Sequence, residues 1–325
     1  VKLTIPSKAP IAVVGFAGGG GVECGLLAAG IRPALSIEFN PQDPKLSSAI
    51  ADCHEANFSE YGKLLRMTVE DWTSQDFPDC PDRVDVAHFS PMCSNFSVAS
   101  HGKESEEDIE AAKAIAAFIE AKQPSYFSLE NVVGYKKSQS SSYIIAKLEA
   151  CGYSFVETVL DFADYGVCQS RSRYFIIASK QSFEFDLPKQ PRQGWLEVIG
   201  DLLEGLPLNE LTKNQQAAIA KYQGDLPCLL PRVGYSKLPR IRPPDRVAPT
   251  ITKSLFVDDK GCSRNKVWNI WDGNKLSQVD IECFRRLATF PDWYQFPKKM
   301  AVAGSILGYA VPPTIIEQIY RRIMF

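Results

Sequence analysis

Ile11-Ala12-Val13-Val14-Gly15-Phe16 is an unbroken apolar run that leads straight into Ala17-Gly18-Gly19-Gly20-Gly21. A strand with no polar alternation is buried on both faces, which points to the centre of a parallel sheet. Residues 22–29 then read as a small-residue helix stopped by Gly30. Strand, glycine turn and helix open a nucleotide-type βα unit, and glycine lets a ligand lie against bare backbone. The spacing departs from the dinucleotide fingerprint. Counting from Gly18 and Gly20, the third glycine would fall where Glu23 stands. A pyrophosphate is thereby disfavoured against a ligand that needs only close backbone approach, and a tight turn with no ligand stays open.

The chain has 325 residues, 45% hydrophobic and 23% charged, enough for one large core and a smaller one. A net charge of -2 spreads no basic field over the molecule, so nucleic-acid binding must come from local patches. The nine cysteines are an odd number and include no C-x-x-C pair, which argues against a disulfide framework or zinc ribbon and for a reducing setting. No apolar run approaches a membrane span, and no internal repeat is visible.

Along the chain, residues 33–37 read as a second strand ending at Glu38, a carboxylate placed to meet a ribose diol. A helix is expected near 47–57 and a short strand at 67–69, followed by Glu70-Asp71-Trp72, an acid beside an aromatic that suits an adenine. Residues 85–89 read as a buried strand running into Ser90-Pro91-Met92-Cys93, which puts a thiol on the loop after a strand. A lone cysteine is more often inert core. His101 reads as a surface position in a polar loop. Apolar residues at helical spacing predict a helix over 106–122, then a strand at 125–129 ends in Glu130-Asn131-Val132. A helix at 142–150 and strands at 155–160 and 174–179 follow. The alternation Gln169-x-Arg171-x-Arg173 points three long polar side chains one way. Composition shifts towards Pro, Gln and Lys over 180–192, marking a boundary. Helices are expected at 195–203, 210–222 and 277–288, the last capped by Ser277, and a closing helix buries Ile315, Ile316, Ile319 and Ile323. Residues 231–246 carry five basic residues against one acid and suit a phosphate backbone, with a solvated loop as the alternative.

Taken in order, six blocks resemble the cytosine-5 DNA methyltransferase family from about residue 11 to residue 322: Phe16-Ala17-Gly18-Gly19-Gly20-Gly21, Pro91-Met92-Cys93, Glu130-Asn131-Val132, Gln169-x-Arg171-x-Arg173, Arg246-x-x-Pro249-Thr250 and Gly308-Tyr309-Ala310-Val311-Pro312-Pro313. The resemblance implies an α/β fold, a Rossmann-like methyltransferase sheet with helices on both faces, plus a small, mostly irregular or β target-recognition domain. The expected division is a catalytic and donor-binding domain over 1–185, a target-recognition domain over 186–300 and a C-terminal segment, 301–325, packing back on the first. S-adenosyl-L-methionine is implied as donor, held by Phe16, Ala17, Gly18, Gly20, Glu38, Phe39, Asp71, Trp72, Pro91, Tyr309 and Val311. Double-stranded DNA is implied as substrate, with Ser94, Ser97, Gln169, Lys237, Arg240, Arg242 and Thr250 as contacts. The same resemblance implies a monomeric, cytoplasmic enzyme of prokaryotic or phage origin, with no membrane role and with any cognate restriction enzyme acting separately.

The chemistry calls for these residue types. Carbon 5 of cytosine becomes nucleophilic once a thiolate adds at carbon 6, the part assigned to Cys93. Charge then flows towards ring nitrogen 3, where Glu130 would act as a protonated partner. Arg173 would hold the exocyclic oxygen of the base and Arg171 would brace Glu130 and the loop. The base must leave the duplex to be reached. Four features depart from the family: Met92 and Ser94 flank the cysteine where Pro and Gln are usual, Tyr309 replaces an asparagine, the helix near Ala111 lacks a larger apolar residue, and the stretch between Ser179 and Arg246 is short. A tRNA cytosine-5 methyltransferase, a non-catalytic binding protein and a nicotinamide-dependent oxidoreductase are the alternatives.

Overall fold

The computed structural model describes residues 3–92, 94–96, 104–231, 240–256 and 267–324. The chain opens with β1 (Ile11–Gly15), α1 (Gly21–Ala28), β2 (Arg32–Ile37), α2 (Pro44–Phe58), β3 (Lys63–Leu65) and α3 (Val69–Ser74). It continues through β4 (Val86–Phe89), α4 (Glu106–Lys122), β5 (Tyr126–Asn131), α5 (Gln139–Ala150), β6 (Ser154–Asp161) and β7 (Ser172–Ser179). These strands form one seven-stranded sheet in the order β3-β2-β1-β4-β5-β7-β6. All neighbours are parallel except around β7, which runs antiparallel between β5 and β6. The chain builds outward through β2 and β3, then returns to the other side of β1 with β4. That reversal is the point where open α/β sheets hold ligands beyond their strand ends.

Alternation along β1 separates two cores. Val13 joins Leu35, Ala87, Phe127 and Leu129 under α3, α4 and α5. Ala12 and Val14 join Val86, Phe175 and Ile177 on the opposite face, under α1 and the closing helix. Helices therefore cover both faces, as the fold class requires. Helix starts are capped by short polar side chains: Asp43 for α2, Thr68 for α3, and Ser105 with Asp108 in a reciprocal capping box for α4.

The expected strand at 67–69 is not formed. Thr68 instead accepts from the Asp71 N–H and starts α3, and the strand lies earlier, as β3.

Beyond β7 come α6 (Trp195–Ile199), β8 (Leu208–Asn209), α7 (Lys213–Ile219), β9 (Cys228–Leu230), β10 (Asn269–Trp271), β11 (Leu276–Gln278) and α8 (Ile281–Leu287). A second, four-stranded sheet has the order β8-β11-β10-β9. Ser277 lies in β11, and Asp280 caps α8 in its place by accepting from the Cys283 N–H at 2.9 Å. The core beside this sheet joins Trp195, Leu229, Trp268 and Phe284 to Leu27, Ile50 and Phe58 of α1 and α2, so it is continuous with the larger unit.

The chain closes with α9 (Met300–Tyr309) and α10 (Pro313–Met324). The stretch Met300–Met324 is long and apolar enough to cross a membrane, contrary to the expectation from the sequence, but 67% of its most apolar window is buried within the protein. It breaks into two helices at Ala310-Val311-Pro312, and α10 lays Ile315, Ile316, Ile319 and Tyr320 into the core it shares with α1.

Candidate active site

Strand register assembles the site. Gly15 pairs with Phe89, and Phe89 with Leu129, so Ser90 and Glu130 follow in the next row, just past the ends of the parallel strands. Glu130 is opposite Phe175 in β7, and Arg173 is its diagonal neighbour on that face. Arg173 Nε accordingly lies 2.9 Å from Glu130 Oε1. Glu130 is only 6% exposed. Burial raises its pKa above the ordinary carboxyl value, opposed first by the charge of Arg173 and then by that of Arg171. The arrangement is a carboxyl poised to carry a proton, beside a guanidinium with capacity left for a second acceptor.

Arg171 is buried and turned away to carbonyls. Its guanidinium donates to Ile251, Gly308 and Ala310, each at 3.2 Å. Gln169, expected at the nucleic acid, is 2% exposed, and its Oε1 accepts from the Ile251 N–H. It is a brace, because its backbone pairs with Ala248 and draws the side chain inward. Thr250 donates its hydroxyl to the Ser170 carbonyl. The block Arg246-x-x-Pro249-Thr250 is thus seated on Gln169-x-Arg171. Pro91 is buried, and its carbonyl accepts from Asn131 Nδ2 at 3.0 Å. That bond ties the loop leading to position 93 to the strand tip bearing Glu130. Ser94 begins a short 3₁₀ turn, Ser94–Phe96. Cys93, Ser97, His101 and Lys237 lie outside the described residues.

On the donor side, Glu38 Oε2 accepts the Gly18 N–H at 2.8 Å. Burial raises the Glu38 pKa, opposed by that N–H bond. Gly18 has φ +55°, and a Cβ there would stand in open space. Phe16, half-buried, takes a positive φ of 57°, a conformation a bulky residue adopts only where its surroundings impose it. The Ala17 N–H bonded to Ile37 holds the turn against β2. Open backbone at Gly18 beside a desolvated carboxylate fits a ligand carrying a hydroxyl pair, the ribose of the implied donor. Phe39 is half-buried just past β2, and Asp71 is exposed in the first turn of α3.

Three residues expected at the donor are also packed into the fold. Trp72 is 0% exposed, its ring 5.1 Å from Phe77 and 5.4 Å from Phe118, so it offers no face to an adenine. Gly20 is glycine because a Cβ would come within 2.0 Å of Phe58. Val311 is buried in the core beside α1. Tyr309, by contrast, is 50% exposed, with the Lys253 ammonium 5.4 Å from its ring centre.

Of the basic stretch, Arg240 is exposed. Arg242 is partly folded away: its backbone pairs with Leu229, and burial lowers its pKa. Sequence reasoning missed Asn131 and Ser90, although each stands beside a singled-out residue, in Glu130-Asn131-Val132 and Ser90-Pro91-Met92-Cys93.

The family model described as C-5 cytosine-specific DNA methylase matches residues 15–230. The chain is 25% identical to Type II methyltransferase M1.HphI of Haemophilus parahaemolyticus over 95% of this chain and 85% of that protein. It is 32% identical to the tRNA (cytosine(38)-C(5))-methyltransferase of Mus musculus, over 39% of this chain and 31% of that one. The crystal structure of S. pombe Dnmt2 methyltransferase superposes with a TM-score of 0.62 at 16% identity, covering 97% of this chain and 98% of that one, and so shares the fold. With a family match spanning well over half of its length and including the glycine loop, the strand tip at Glu130 and the paired arginines, the chain belongs to the C-5 cytosine-specific DNA methylases.

Proposed function

We propose that the chain methylates carbon 5 of a flipped cytosine in double-stranded DNA, with Cys93 as nucleophile and Glu130 as the acid at ring nitrogen 3. The observation that carries the reading is the buried Glu130 carboxyl, raised in pKa and paired to Arg173, on a strand tip bonded to the loop that leads to Cys93. Addition of the Cys93 thiolate at carbon 6 moves an electron pair through the ring to nitrogen 3, where Glu130 supplies the balancing proton. Arg173 holds the exocyclic oxygen with the part of its fork not turned to Glu130. Arg171 fixes the segments around residues 251 and 308–310 against the site. Once carbon 5 carries the methyl group, the nitrogen 3 proton returns to Glu130, and loss of the carbon 5 proton to solvent re-forms the ring double bond and lets the thiolate leave.

The family uses S-adenosyl-L-methionine, which when bound supplies an electrophilic methyl group. Gly18, Glu38, Phe16, Ala17 and Phe39 would hold it, with Asp71 towards its adenine and Tyr309 at its edge. The division at residues 185 and 300 goes with this reading, as do a monomer in the cytoplasm of a prokaryotic or phage-infected cell, with any restriction partner acting separately. Ser94, Ser97, Lys237, Arg240 and Arg242 would meet the DNA.

A tRNA substrate is the second reading, favoured by the likeness to the mouse enzyme over 39% of this chain. Labelled methyl transfer to DNA and to tRNA in parallel, with wild type and Cys93→Ser, tests both. Label should enter DNA only with the wild type, and a 5-fluorocytosine duplex should trap only the wild type. Label confined to tRNA would move the substrate, and activity in Cys93→Ser would remove the nucleophile.

A further inference from the structure

The glycine loop is held from far along the chain. Tyr294, between α8 and α9, donates its hydroxyl to the Gly19 carbonyl at 2.5 Å, across 275 positions of sequence. Its ring is buried, with the rings of Phe290, Phe296 and Phe58 centred 4.8, 4.6 and 6.2 Å away. Asn57 of α2 accepts the Gln295 N–H on Oδ1 at 2.8 Å and gives Nδ2 to the Gln295 carbonyl at 3.0 Å, which fixes the backbone next to Tyr294. The Cys53 thiol lies 3.4 Å from the Tyr294 oxygen and 3.4 Å from the Gln295 carbonyl. Gly19 has to be glycine for this approach, because a Cβ there would stand 2.5 Å from Ile306 of α9 and 3.0 Å from the Tyr294 oxygen.

The direction of this bond is fixed, because a backbone carbonyl only accepts. Burial raises the Tyr294 pKa well above the ordinary phenol value, so the hydroxyl keeps the proton it donates. The bond completes a set. Gly18 gives its N–H to Glu38, Gly20 gives its N–H to the Ala17 carbonyl at 3.1 Å, and Gly19 has its carbonyl on Tyr294. Four consecutive glycines leave the backbone more conformations than any other four residues. Each peptide pinned in advance is one that a ligand need not order on binding. Ala17 and Glu38 belong to the loop and to the end of the neighbouring β2, whereas Tyr294 is an anchor supplied from the far end of the sequence.

We infer that Tyr294 is a positioning residue for the methyl donor: by holding the Gly19 carbonyl it keeps the glycine loop in the shape that receives S-adenosyl-L-methionine. This rests on the donor lying against Gly18 and Glu38. Tyr294 acts through the loop backbone and needs no contact with the donor. Loss of its hydroxyl would leave the peptide between Gly19 and Gly20 held by its N–H alone.

The test uses the full chain and measures equilibrium binding of S-adenosyl-L-methionine and of a cytosine-containing duplex, together with kcat, KM and thermal unfolding. Tyr294→Phe should raise the donor Kd and KM about fivefold, the size of one neutral hydrogen bond, with the duplex Kd unchanged and kcat within about twofold. Tyr153→Phe controls for lost stability alone. Its hydroxyl also donates to a carbonyl, that of Pro124 at 2.6 Å, beside the start of β5 and at the opposite end of the sheet from the glycine loop. That variant should lower Tm to a similar extent and leave the donor Kd where it was. Asn57→Ala, which releases the backbone next to Tyr294, should raise the donor Kd about twofold and carries the test if Tyr294→Phe does not fold. A donor Kd unmoved by Tyr294→Phe, or by Asn57→Ala where only that variant folds, or raised as much by Tyr153→Phe, overturns the inference. A donor Kd unmoved by Glu38→Gln would instead strike the reading beneath it.

Discussion

Replacing Arg173 by alanine should destabilise the protein by an amount that grows with pH. Glu130 loses the first of the two charges that oppose its burial, and its folded pKa rises further. A carboxyl whose folded pKa lies above its unfolded one contributes stability at low pH and loses it as pH climbs through the folded value. Because the wild-type carboxyl is already raised, the variant diverges from wild type only as pH climbs past that raised folded value, above the ordinary carboxyl range. A buried carboxylate stripped of its partner costs about 3–5 kcal/mol. Arg171 remains within range, so the lower figure of about 3 kcal/mol applies. The carboxyl can escape part of this by taking a proton, at about 1.36 kcal/mol per pH unit above its unfolded value. At pH 5 that route caps the charge-related loss near about 1 kcal/mol, whereas at pH 8 it would cost about 5 kcal/mol and gives no relief. In thermal unfolding of the full chain the deficit should widen from about 2 °C at pH 5 to about 6 °C at pH 8, taking roughly 2 °C per kcal/mol. The same substitution made in Glu130→Gln should show no such trend. An equal deficit at both pH values would mean that Arg173 contributes packing rather than charge, and the electrostatic account of Glu130 would fall.

Glu130→Gln should lower kcat by about a hundredfold or more, with donor affinity unchanged in equilibrium binding. Glu38→Gln should do the reverse, raising the donor Kd about tenfold at unchanged DNA affinity, since one charge-assisted bond to a hydroxyl is worth about 1.5 kcal/mol or more. Lys237→Ala with Arg240→Ala should flatten the salt dependence of DNA binding by roughly 0.9 in log–log slope for each phosphate no longer neutralised. Arg242→Ala should act more on stability than on that slope, its backbone being paired into the small sheet.

Much of the first half of the chain was legible because its signals are local. The run into β1, the glycine turn and the apolar period of α4 each sit in one window of sequence. The misplaced residues depended on what lies across the fold. Asp71 and Trp72 were read as one adenine clasp, but both lie in α3, where neighbours in sequence point in different directions. Asp71 faces solvent while Trp72 enters the core with Phe118. Gln169 shares the alternation of the two arginines but not their setting, because its backbone is bridged to Ala248 from far along the chain. Ser277 and Asp280 are both good helix caps, and only the pairing of β11 with β10 and β8 decides between them.

The two arginines share one alternating face and one buried carboxyl, yet what else they touch divides their work. Among the described residues Arg173 gives Nε to Glu130 and one further bond to its neighbour Ser172, so it stays at the site and can serve a bound base. Arg171 gives its fork to carbonyls at 251, 308 and 310, on the segment opening the last quarter of the chain and on the end of α9. Both charges act on Glu130. The position of those distant segments is therefore coupled to the field at the acid: any movement that carries the 251 or 308–310 carbonyls away would release Arg171 and change the balance between burial and charge. Lysine at 171 would keep the charge but could not span three carbonyls in a fixed plane. The site needs arginine there because one group must both hold the structure closed and charge it.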